Sequence, residues 1–140
     1  MNVNKIVQEW LRISQNDLIS AQHLYNDLYP KQTEIACYHS QQCAEKALKG
    51  YLVFKNVEPP YTHNLIELCR MCIKYDEAFS DILDPCSDLN PYGVAVKYPN
   101  ELDVDEIITK KAISDAEKVY SYVISKVRKT EDEIKVVEVK

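Results

Sequence analysis

The sequence predicts an all-α fold: an antiparallel up-and-down bundle of four to five helices. Three observations lead there. Apolar residues recur every three or four positions along most of the chain, the spacing of one helix face. Only Gly50 and Gly93 are glycine, too few for a turn-rich β fold. The connections between helical patterns are mostly short, and short connections join antiparallel neighbours. A length of 140 residues fits one domain. Residues 1–129 are read as a single helical domain and 130–140 as a frayed C-terminal tail.

The first helical pattern covers 3–28. Val3, Val7, Trp10, Ser14, Leu18, Ala21, Tyr25 and Leu28 form one face, with Gln8, Arg12, Gln15, Gln22 and Asn26 opposite. Tyr29-Pro30 ends it, because the residue before a proline is pushed out of the α region. A second helix begins near Thr33 and fades around Lys55-Asn56. Ala36, Ser40, Cys43, Ala44, Ala47 and Gly50 make it a small-residue helix that a neighbour can approach closely. Pro59-Pro60 stiffens the loop that follows.

A third, shorter helix spans Asn64 to Lys74, with Asn64 and Glu67 spaced as a capping box. A fourth stretch runs from Glu77 to about Asn90, and Pro85 inside it is a point of kinking or restart. Residues 91–103 form the longest non-helical connection. Asp103 and Glu106 mark the start of a last helix over 104–129. The tail shows weak strand character, with Ile134, Val136, Val137 and Val139 among charges.

Composition narrows the function. A net charge of −5 disfavours broad duplex binding, which rests on phosphate neutralisation by Lys and Arg. The two glycines cannot build a Gly-rich phosphate loop. No run of about 18 apolar residues suggests a membrane span, and the first residues lack a signal-peptide core. The expectation is a cytoplasmic protein whose five cysteines are reduced and mostly buried. Cys69-x-x-Cys72 has the spacing of a metal or redox pair, but no second pair accompanies it, so it is read as core packing.

The second helix also carries a polar row. His39, Gln42, Lys46 and Lys49 are spaced three, four and three apart and so share a face. Glu45 can hold Lys49, Lys46 or His39 in place. His39 and His63 are the groups suited to acid–base work near neutrality. The plainer reading of His63 is a helix-start residue that orders its loop, and of His39 a hydrogen-bonded bundle residue. Tyr92 and Tyr98 in the long loop could stack a base or simply cover the end of the bundle.

Three places carry a family resemblance: Trp10 with Asp17-Leu18 and Ala21; the run from Cys37 to Lys49, close to a family helix written hxxQQaxEKalKa; and Thr62-His63-Asn64-Leu65 with the later Tyr92 and Lys97-Tyr98-Pro99. In these the chain resembles the small HEPN domain proteins of bacteria and archaea. The resemblance implies a helical bundle that is commonly dimeric and often encoded beside a small nucleotidyltransferase. Relatives bind nucleotides in some cases and cleave RNA in others. The cleaving members carry Arg, then four to six residues, then His. Here Arg occurs only at 12, 70 and 128, none with such a His, and Lys97 stands where the family writes Arg.

The expectation is therefore a noncatalytic HEPN-type protein. It binds a nucleotide or RNA element, serves as partner subunit of a nucleotidyltransferase, or both, as a homodimer without membrane attachment. The expected ligand-binding residues are His39, Gln42, Glu45, Lys46, Lys49, His63, Lys97 and Tyr98. No catalytic residue, metal ligand or cofactor is assigned. The alternatives are a metal-independent ribonuclease with a non-standard site and a pure dimerisation or interaction module.

Overall fold

The computed structural model describes residues 4–93 and 104–139, with side chains described through residue 130. Among the described residues five α-helices make up the architecture: α1 (Lys5–Asn26), α2 (Thr33–Phe54), α3 (Leu65–Ile73), α4 (Leu83–Leu89) and α5 (Glu106–Val139). Short 3-10 turns at Glu77–Ile82 and Asn90–Gly93 flank α4. Among the described residues there is no strand, and no helix is long and apolar enough to cross a membrane. The all-α bundle expected from the periodicity is the observed fold.

Helix α2 is the centre of the bundle. Cys43, Ala44, Ala47, Leu48 and Leu52 are fully buried, and Cys37 and Tyr51 nearly so. Its small residues let α1 lie close and antiparallel. A Cβ added at Gly50 would meet Trp10 Cβ at 3.1 Å and Leu11 Cδ2 at 3.2 Å. Further along, Ser14 Oγ donates to the Cys43 carbonyl at 2.7 Å, and Asp17 meets His39. The small-residue stripe is thus used within the chain, against α1.

The loop over 55–64 carries the chain back along α2, so the bundle contains one return. Cys72 of α3 points its thiol at the Leu48 carbonyl, while His63 just before α3 lies beside Gln41 and Glu45. Helix α5 runs parallel to α2, pairing Cys37 with Thr109 and Cys43 with the Ala116 carbonyl. Helix α4 and the turn before it run against α5, with Asp76 on Lys126 and Asp88 on Lys111. Phe79 packs between Tyr51 and Tyr122, tilted against the first ring and edge-to-face with the second, closing that end of the core.

Helix termini show where sequence patterns and actual partners differ. Asn56 ends the turn after α2 at φ 61°, a left-handed conformation that Asn tolerates better than most residues. Asn64 caps α3, its Oδ1 accepting from the Ile66 and Glu67 amides. The Glu67 carboxylate turns to the Thr62 hydroxyl instead of completing a reciprocal box, and Asn90 Oδ1 accepts from the Leu65 amide. Asn64→Ala leaves two first-turn amides without their acceptor. Its expected cost is about 1 kcal/mol, read as a lower urea midpoint at unchanged slope.

At α5 the capping oxygen belongs to Asp105, which accepts from the Ile108 amide. Asp103 lies outside the described residues. Pro85 sits in the first turn of α4, where no intrahelical partner for its missing N–H is needed, so the 3-10 turn gives way to α-helix just before it. The helical path of α5 continues to Val139, through the stretch whose pattern carried weak strand character.

The cysteines fill the core. All five are buried free thiols. Cys69 Sγ lies 3.5 Å from the Phe79 carbonyl and Cys72 Sγ 3.8 Å from that of Leu48. Burial pushes the Cys43 thiol up to about 12 and raises Cys72 as well. Such thiols remain protonated and unreactive near neutrality.

Candidate functional site

The polar side chains of α2 are satisfied mainly by one another and by the loop before α3. Glu45, 2% exposed, accepts from Lys49 Nζ at 3.3 Å on Oε2 and meets His63 Nδ1 at 2.9 Å on Oε1. The Lys49 side chain is only 10% exposed. A buried charge is tolerated only when it is paired and hydrogen-bonded, and Glu45 and Lys49 provide that for each other. Because they stand four residues apart on one helix, the pair needs no rearrangement of the fold to form.

Beside this ion pair runs a line of amides. Lys46 Nζ donates to Gln42 Oε1 at 2.9 Å, and Gln42 Nε2 donates to Gln41 Oε1 at 2.8 Å. Gln41 Nε2 donates to the His63 carbonyl at 2.9 Å. Gln41 is fully buried, Gln42 is nearly so, and Lys46 is half-buried at the surface end. The last turn before the long loop packs on this line through Gly93, whose Cβ, if present, would lie 2.9 Å from Gln41 Nε2.

The structure therefore brings together Gln42, Glu45, Lys46, Lys49 and His63. Within the cluster the two groups that reach the surface are Lys46 and the His63 ring, whose side chain is 71% exposed. His39 belongs to the same helix face but turns toward α1, where Nδ1 meets Asp17 Oδ1 at 2.9 Å and ties the two helices together. Lys97 and Tyr98 lie outside the described residues.

Sequence reasoning passes over Gln41 and Gly93 as site residues. Adjacent residues on a helix diverge by about 100°, so a row drawn through Gln42 excludes Gln41. The signal is the doubled glutamine itself. A buried Gln must have partners, and two in succession on a core helix imply a network.

A separate cleft of about 420 Å³ lies between α4 and α5. It is lined by Asp88, Tyr92, Ile107, Ile108, Lys111, Ala112 and Asp115. Lys111 bridges the two carboxylates, at 2.8 Å from Asp115 and 3.2 Å from Asp88, and its hydrogen bond to Asp115 raises its pKa. Tyr92 packs here against the core. Among the described residues, none of those expected to bind ligand lines this cleft.

Chemically, the α2 cluster offers one surface ammonium and one imidazole whose Nδ1 is held by a carboxylate. Such a pair can engage a phosphate together with a neighbouring polar group. A family model described as HEPN domain matches residues 7–129. Among solved structures, the chain is similar to ST0689, an archaeal HEPN homologue, at 26% identity and a TM-score of 0.70. It is also similar to TT1696 from Thermus thermophilus, at 21% identity and a TM-score of 0.74. Each match covers 86% of this chain and 97% of the other. No curated protein matches the chain.

Proposed function

This chain belongs to the HEPN domain family, and on that premise we propose that it is a noncatalytic binding protein whose ligand is a nucleotide or a nucleic-acid element. The observation that carries the reading is the self-satisfied network under Lys46 and His63. A purely structural row could end in water at any angle. Here the buried members Gln41, Gln42 and Glu45 hold the two surface groups in fixed places. Fixed polar groups bind with less ordering cost than free ones. An ammonium recognises phosphate as a point charge, and Lys46 keeps two N–H donors beyond the one given to Gln42.

His39, Lys49, Lys97 and Tyr98 enter this reading differently. Lys49 acts through Glu45, and His39 acts by joining α2 to α1. Lys97 and Tyr98 are proposed as contacts from the long loop, on the strength of the sequence alone. The protein is also proposed to act as a homodimer and as partner subunit of a nucleotidyltransferase. The exposed Ile6 and Ile13, seven positions apart on α1, support an apolar contact strip on that helix.

Thermal shift against a panel of nucleotides tests the binding reading. A ligand at 100 times its dissociation constant adds about 2.7 kcal/mol of apparent stability. Lys46→Ala is expected to weaken that binding about tenfold or more, the worth of one charge-assisted hydrogen bond, and to lower the ligand-free melting temperature modestly, because the buried Gln42 Oε1 loses its donor. No shift at millimolar nucleotide, with Lys46→Ala also silent in capture of a nucleotidyltransferase, sinks the reading.

One observation favours a second reading. A carboxylate on His63 Nδ1 is the arrangement that orients a general base, which suits metal-independent RNA cleavage. RNA that survives prolonged incubation with the protein unchanged rejects it.

A further inference from the structure

We infer that Gln41 is a positioning residue that holds His63 where the Glu45 carboxylate fixes its tautomer, so that its Nε2 is offered to the ligand as a hydrogen-bond acceptor. The inference rests on the ligand-binding reading above and specifies what His63 takes from that ligand.

His63 is gripped at two points. Glu45 Oε1 holds the ring at Nδ1, and Gln41 Nε2 holds the backbone carbonyl, both at 2.9 Å. The Glu45 carboxylate has only acceptors to offer, and its other oxygen is occupied by the Lys49 ammonium. In the neutral ring the single proton must therefore sit on Nδ1. The lone pair is left on Nε2, in a side chain that is 71% exposed.

The orientation of Gln41 is not free to reverse. An ammonium only donates, so Lys46 fixes the oxygen of Gln42 toward itself. The Gln42 amide nitrogen then faces Gln41 Oε1, which turns the Gln41 nitrogen toward the His63 carbonyl. Every amide in the line points the same way, and successive bonds polarise one another. Gly93 closes the other side of Gln41. A methyl group there would sit 2.9 Å from Nε2 and 3.2 Å from Cδ of a fully buried side chain.

An acceptor at Nε2 does not suit a phosphate oxygen, which also accepts. It suits a hydrogen-bond donor: a ribose hydroxyl or the amino group of a base. The phosphate falls to Lys46.

The imidazole signals of His63 in a long-range nitrogen–proton correlation spectrum read the tautomer directly. The wild-type protein with its imidazole neutral is expected to show the Nδ1–H form. Gln41→Ala releases the backbone that keeps the ring on Glu45 and is expected to shift His63 toward the Nε2–H form preferred by an unconstrained histidine side chain, with the helical circular dichroism retained. Gly93→Ala removes no hydrogen-bonding group and is expected to move His63 in the same direction, so it carries the test if Gln41→Ala does not fold. A wild-type Nε2–H form overturns the inference. So does an unchanged Nδ1–H form in the folded variants.

Binding of adenosine monophosphate is then compared with two analogues. The 2′,3′-dideoxy compound lacks the ribose hydroxyls, and purine riboside monophosphate lacks the amino group. One of the two is expected to bind about tenfold more weakly than the parent, and Gln41→Ala is expected to erase that difference. Equal binding of all three overturns the acceptor role. Failure of all three to bind counts against the nucleotide-binding reading itself, while the tautomer result is decided without any ligand.

Discussion

Replacing Glu45 with alanine is expected to destabilise the protein by about 3–5 kcal/mol, the usual cost of breaking a buried ion pair from one side. The loss is not that of one hydrogen bond. Glu45 is 2% exposed and accepts from Lys49 and His63 at once. Its removal strands the Lys49 ammonium in a side chain that is 10% exposed. The four-carbon stem of Lys49 can carry its charge part of the way to water, which favours the lower end of that range. Urea unfolding followed by circular dichroism gives the number.

Two companion variants separate the causes. Glu45→Gln keeps an acceptor for the His63 N–H but loses the charge, so it is expected to fall between wild type and Glu45→Ala. The double replacement Glu45→Leu with Lys49→Met removes both charges and keeps the volume. It is expected to recover most of the loss, because the desolvation cost vanishes with the attraction. A double variant no more stable than Glu45→Ala would locate the cost in packing instead of charge.

The same pair shows what the sequence could and could not convey. A run of small and apolar residues on a 3.6 period makes α2 legible, and α1 with it, because burial selects residue type directly. Helix ends are less legible. The residue spacing at 103 and 106 suggests one cap, but the oxygen that accepts from Ile108 is that of Asp105. Several nearby acidic side chains can serve, and only the path of the chain selects one.

In the sequence Lys49 is one member of a polar row with His39, Gln42 and Lys46. Spacing places residues on a face but does not say how deep that face lies. The loop over 55–64, which returns past Glu45, brings His63 onto the row. That return is a long-range feature with no local pattern to announce it. Gln41 is hidden for a related reason. Its partners, the His63 carbonyl and Gly93, lie 22 and 52 positions away in the chain.

The close contact between α1 and α2 supports the last prediction. Gly50→Leu is expected to cost about 3 kcal/mol, the upper end of the usual range for overpacking a core. Two opposing effects meet at this position. Glycine inside a helix is about 1 kcal/mol worse than alanine, so any side chain at 50 starts with a gain in helix propensity. Against that, the first added carbon already meets Trp10 Cβ at 3.1 Å and Leu11 Cδ2 at 3.2 Å.

These two neighbours differ in how they can yield. The Leu11 methyl can rotate aside. Trp10 Cβ is bonded to the backbone and moves only if α1 moves. Gly50→Ala is therefore expected to come out within about 1 kcal/mol of wild type, propensity offsetting crowding. Leucine adds three more carbons beyond that first contact. Helix α1 must shift, loosening the Ser14–Cys43 hydrogen bond and the Asp17–His39 contact beyond it. Trp10 is the only tryptophan, so its fluorescence reads the displacement directly. A red shift in the folded Gly50→Leu variant, together with a lowered urea midpoint, is the expected pair of results. A full-strength midpoint with unshifted emission would mean that the two helices have room the close contact denies.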